Sequence, residues 1–128
     1  MSFPALPLMA LFVDPRCGGK RELLAAAAGK AQTVMLTTSQ DGIRQISKNM
    51  SGRGAFAGLL IAAADDASSI EIGSTRLTIP GLYAYENELR GIGGALAQGG
   101  FVRLLGRGGN RPNDDILAAM LCRLTGVE

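Results

Sequence analysis

Two short stretches carry most of the residues that could do chemistry, IAAADDASS at 61–69 and LLGRGGNRP at 104–112. Each is the end of an apolar run followed by small and polar residues. In the second, FVRLL runs into Gly106 and a helical pattern opens a few residues later. Backbone N–H groups of a glycine-rich turn before a helix favour an anion, and Arg107 or Arg111 can clamp one. The candidate anion site is therefore the turn Gly106–Asn110, with Arg107, Gly108, Asn110 and Arg111 as its contacts. Against it, GRGGNRP matches neither the P-loop nor the dinucleotide fingerprint. Asp114 and Asp115 also place negative charge at the helix start. The plain reading is a strand-to-helix turn.

Neighbouring strand ends would bring Asp65 or Asp66 towards Arg107. An ion pair or hydrogen-bonded cluster there would be worth roughly 0–1 kcal/mol if exposed. The alternative is that all three are solvated loop residues.

Histidine is absent from the chain. That removes Ser-His and Cys-His nucleophiles, imidazole bases and nearly all zinc sites. The two cysteines, Cys17 and Cys122, have neither metal-ligand spacing nor the number a disulfide scaffold needs. Cys122 lies in a helical pattern and reads as a small hydrophobe. Cys17, in the loop DPRCGGK, is the better thiol, and catalysis through it with a carboxylate is the one enzymatic reading left. No neighbouring residue marks it as activated.

These residues need a scaffold, and the chain alternates as an α/β domain does. LMALFVD (Leu8–Asp14) is a short apolar run expected of a strand buried on both faces. KRELLAAAAGK reads as a helix. QTVMLT (Gln32–Thr37) is a second strand, and Ser39 can cap a helix carrying Ile43, Ile46 and Met50 at helical spacing. AFAGLLIAAA (Ala55–Ala64) is the third strand. SSIEIGSTRLTI reads as a β-hairpin turning at Gly73-Ser74, closed by Pro80-Gly81. From Tyr85 a helix is expected with Leu89, Ile92, Gly93 and Leu96 on one face, its glycines packing on the sheet. FVRLLG is the fourth strand. PNDDILAAMLCRLTG is the last helix, capped by Asn113 or a neighbouring Asp, with Ile116, Leu117, Met120, Leu121 and Leu124 as its apolar stripe. The expectation is one domain, 1–128: a three-layer sandwich with a mostly parallel four-strand sheet, helices on both faces and an inserted hairpin.

Composition narrows the function. The chain has 128 residues, 47% of them apolar, and a net charge of +2, which suits one folded domain without a strong field. Three lysines and ten arginines are scattered, and four Phe and two Tyr with no Trp offer no stacking platform, so nucleic-acid binding is not expected. MSFPALPLMALFV has no basic leader segment and is interrupted by two prolines. It reads as the lead-in to a strand, not a signal peptide or membrane span. The expected location is cytoplasmic for the isolated chain, or exported within a larger surface protein. No cofactor or metal is expected.

The pieces LFVD, DGIRQI, IEIGSTRL, LRGIGGALAQGG and RLTG, in this order and spacing, run through most of the chain. Together they resemble the caspase-like domain of unknown function found near the N-termini of very large bacterial surface proteins with adhesin-type repeats. The resemblance implies a caspase-like or flavodoxin-like sheet. It also implies a cysteine-protease dyad, with a His-Gly pair after strand three and a Gly-Cys pair after strand four. Here those positions hold Ala64 and Asp65, then Gly106 and Arg107, so both reactive side chains are missing. The expectation is a pseudo-enzyme that acts in protein–protein interaction or self-assembly. In the resembled family the chain continues towards another strand after LTGVE, so a sheet edge is expected to lie open here. The alternative is a domain binding a small anion or phosphate at Gly106–Asn110.

Overall fold

Strand β1 (Met9–Val13) uses both faces of MALFV. Ala10 and Phe12 enter the larger of two apolar clusters, and Leu11 and Val13 enter the smaller. Side chains alternate across a strand, so the sheet is covered on each side. The computed structural model describes residues 8–51, 53, 55–64, 70–105 and 114–126, with the backbone alone at 114–118.

The smaller cluster is closed by helix α1 (Lys20–Ala27), whose Leu23, Leu24 and Ala27 pack on Leu11, Val13 and Ala62. The larger is closed by α2 (Gly42–Met50), α4 (Glu86–Gly94) and α5 (Asp114–Thr125). Ile43, Ile46 and Met50 of α2, Leu89 and Ile92 of α4, and Leu121 of α5 are all fully buried there. Removing one such side chain from water is worth about 1.5–3 kcal/mol.

Strands β2 (Ala31–Met35), β3 (Phe56–Ala62) and β6 (Leu96–Leu105) complete a parallel sheet in the order β2-β1-β3-β6. The hairpin is β4 (Ile70–Ile72) with β5 (Thr75–Leu77), antiparallel and separate from the main sheet. The expected α/β sandwich with an inserted hairpin is what the chain forms.

Four local expectations are corrected. Asp41, not Ser39, caps α2, because its carboxylate accepts the Arg44 N–H at 2.9 Å. Pro80-Gly81 does more than end the hairpin. It lies in the four-residue helix α3 (Ile79–Leu82), capped by the Thr78 hydroxyl and followed by a 3-10 turn at Tyr83–Tyr85. Leu96 is not on the α4 face; it opens β6, which therefore starts well before Phe101. Finally, α4 glycines do not pack on the sheet. A Cβ at Gly93 would lie 1.7 Å from the Thr125 carbonyl oxygen at the end of α5, whereas Gly91 and Gly94 face open space. On α5, Leu121 is buried and Met120 and Leu124 are half-buried, as expected. The side chains of Ile116 and Leu117, and residue Asn113, lie outside the described residues.

Strand β6 leaves the ladder briefly. Phe56 faces Leu96 and Gly58 faces Phe101, so the residues between are looped out. Gly99, at φ 81°, makes that excursion possible. Beyond it the Phe101 ring covers Gly58, where a Cβ would meet ring atoms at 2.4 Å, and the Arg103 guanidinium lies 5.1 Å from the ring centre.

Candidate functional site

In a sheet of this order, the crevice falls at the carboxyl ends of β1 and β3, where the connections diverge. Asp14 follows β1 there and is completely buried. One carboxylate oxygen accepts the Arg16 backbone N–H and Nε, each at 2.8 Å. The other accepts Arg16 Nη2 and the Gly73 N–H, each at 2.8 Å. Arg16 also donates to the Gly73 carbonyl at 2.6 Å and pairs with Glu71 at 3.5 Å. Arg76 reaches the other oxygen of Glu71 at 3.6 Å.

Burial alone would push the Asp14 carboxyl up. The hydrogen bonds from the Arg16 side chain, Arg16 N–H and Gly73 N–H, with the guanidinium charge, outweigh it and hold the group below its ordinary value. The result is a clamp between the end of β1 and the turn of the hairpin.

The hairpin turn is tied on its other side to the start of α2. Gly73 sits at φ 60°, with room for no side chain beside the Gln40 carbonyl. Ser74 N–H donates to that carbonyl at 2.8 Å, and Gly42 N–H donates to the buried Thr75 hydroxyl at 3.0 Å. Asp41 also accepts a very short hydrogen bond from the Tyr85 hydroxyl. Burial pushes the Asp41 carboxyl up, but the bonds from Tyr85, Arg44 N–H and Thr75 bring it below its usual value. The same bond to Asp41, with burial, pushes the Tyr85 hydroxyl up.

Of the residues singled out from sequence, Ala64 lies two residues beyond the end of β3, only 5% exposed. Its N–H donates to the Glu71 carbonyl at 2.8 Å, which fixes this position against the hairpin. Asp65, Asp66, Gly106, Arg107, Gly108, Asn110 and Arg111 lie outside the described residues. Cys17 sits in the β1–α1 loop, half-buried against the smaller cluster, its thiol 3.3 Å from the Gly18 carbonyl. Cys122 packs against the larger cluster. The two form no disulfide.

Chemically, the described part of this crevice is committed. Asp14 already accepts four donors, Glu71 is shared by two arginines, and Ala64 offers a methyl group. Among the described residues no group of three or more His, Cys, Asp or Glu could hold a metal ion, and no helix is long and apolar enough to cross a membrane.

The sequence reading missed Asp14, Arg16 and Glu71. Their signal was present in LFVDPR: an acidic residue at the carboxyl end of a buried strand, two before an arginine, has to be paired to be there.

A parallel sheet ordered β2-β1-β3-β6, with a hairpin fastened across its carboxyl end, defines a doubly wound α/β domain. Residues 10–127 match the family model of the domain of unknown function DUF4347, and the chain belongs to that family. No curated protein matches it, and no solved structure does.

Proposed function

We propose that this is a non-catalytic, caspase-like domain that works by protein association, with further copies of itself as the first partner. The observation that carries the reading is β6. It runs for ten residues and, among the described residues, pairs only with β3. A free edge presents N–H and C=O groups to another strand. Leu105 turns its carbonyl to Ala63, so in this parallel ladder Val102 and Leu104 turn their backbone groups outward. The Val102 carbonyl accepts the Cys122 thiol of α5 at 3.5 Å, which leaves the Leu104 end of the strand as the part open to pairing. Two facts support the absence of catalysis. The chain contains no histidine, and the described ionisable groups of the crevice are used up in holding the hairpin. The resemblance to domains of large surface proteins suggests a bacterial surface or secreted system as the setting.

Light scattering over a wide concentration range tests the reading, alone and with Leu104→Pro, which deletes an outward N–H. A discrete oligomer that reverts to monomer in Leu104→Pro, with the circular dichroism spectrum kept, is the expected result. A monomer at every concentration rejects self-assembly. An oligomer indifferent to Leu104→Pro rejects β6 as its interface.

A further inference from the structure

We infer that the groove between α2 and α4 is a binding site for a singly charged oxyanion, a carboxylate or a phosphodiester. The groove is lined by Arg44, Ser47, Lys48 and Ser51 on one wall and Glu88 on the other. Spacings of three and four residues put Arg44, Ser47 and Lys48 on one stripe of α2, and Ser51, the C-cap, follows at its end. The Asp41 cap fixes the start of that helix, and Ile43, Ile46 and Met50 anchor its opposite side in the core. The stripe therefore cannot turn inward.

The four side chains of this wall are donors, two of them cationic. Among the described residues none makes a side-chain hydrogen bond or an ion pair, and the Arg44 charge acts on the Asp41 carboxylate only at longer range. The half-buried Glu88 faces the same space and is equally unpaired. Elsewhere Arg16, Arg76 and Arg90 each hold a carboxylate, whereas Arg21, Lys30, Arg53 and Arg123 pair with none among the described residues. What sets Arg44 and Lys48 apart is that they stand side by side on one anchored helix face beside two hydroxyls. Guanidinium, ammonium and hydroxyl groups on one wall suit oxyanion oxygens. Two cations opposed by one carboxylate favour a charge of one over a charge of two. This site is separate from the β6 edge, so it stands or falls independently of self-assembly.

The test is a set of amide correlation spectra titrated with sodium acetate and with sodium dimethyl phosphate, sodium chloride holding the ionic strength constant. Saturable shifts confined to residues 44–51 and 86–89 are expected. Saturation with acetate alone assigns the site to carboxylates, and with dimethyl phosphate alone to phosphodiesters. Affinity should fall at least about tenfold in Arg44→Gln/Lys48→Gln, since losing even one of the two charge-assisted hydrogen bonds is worth about that factor. It should be unchanged in Arg21→Gln/Lys30→Gln, which removes two cations elsewhere. Linear shifts, shifts spread over all the arginines, or equal losses in the two double variants would overturn the inference. Oligomeric state plays no part in this readout.

Discussion

Asp14 and Gly73, 59 residues apart in the chain, meet in a buried hydrogen bond of 2.8 Å, and Arg16 closes the ring by donating to the Gly73 carbonyl. Through this contact the end of the central strand holds the hairpin. The hairpin in turn holds the start of α2 and the backbone of Ala64.

Asp14→Ala should destabilise the domain by about 2–4 kcal/mol. Loss of one partner from a fully buried pair costs about 3–5 kcal/mol, and the exposure of Arg16 reduces that. Urea denaturation measures the loss, and amide exchange at Gly73 should quicken with it. A loss under about 1 kcal/mol would mean that the clamp is not what fastens the hairpin.

The pH dependence of stability follows from three groups. Asp14 and Asp41 have folded-state pKa values below the ordinary 3.8. Their contribution is complete above about pH 4 and is lost as pH falls through the folded values. Tyr85 is raised above the ordinary 10.0, so its contribution is complete below that pH and is lost as pH rises through the folded value. Urea midpoints from pH 2 to 11 should form a plateau that falls at both ends. In Asp14→Asn the acid limb should become shallower.

Tyr85→Phe removes the hydroxyl that Asp41 accepts and should cost about 1.5–3 kcal/mol, as for hydrogen bonds to charged groups. The Asp41 carboxyl should then titrate at a higher pH in carbon-detected spectra. An unchanged Asp41 titration would show that the bond does not persist in solution.

Glycine-to-alanine variants should divide by surroundings. Gly91→Ala, on α4 with open space at the Cβ position, should stabilise by about 0.5–1 kcal/mol. Gly42→Ala would place its Cβ 2.2 Å from the Ile72 carbonyl oxygen and should destabilise by about 1–3 kcal/mol or more. Thermal melts of the two should move in opposite directions. Movement in the same direction would contradict the close approach of α2 to the hairpin.

The order of strands and helices was legible in the sequence because each element has its own periodicity. MALFV reads as a two-faced buried strand, Ile43, Ile46 and Met50 as one face of a helix, and Gly73-Ser74 as a hairpin turn. Element boundaries were less legible where competing signals overlap. Ser39 and Asp41 are both good caps, and only the approach of α2 to the hairpin selects Asp41. GIGGALAQGG looks helical throughout, yet Leu96 joins β3 because a strand with a free ladder beside it captures the backbone groups.

The absence of histidine, and with it of a cysteine–histidine dyad, is settled by the sequence alone, since no folding can supply a missing side chain. The clamp was decided by tertiary structure. Asp14, Arg16, Glu71 and Gly73 show no common pattern along the chain, because the sheet's carboxyl end gathers residues from separate crossovers. The groove of Arg44, Ser47, Lys48, Ser51 and Glu88 has the same origin. The α2 stripe can be read from its spacing, but only the packing of α4 beside it supplies the opposite wall.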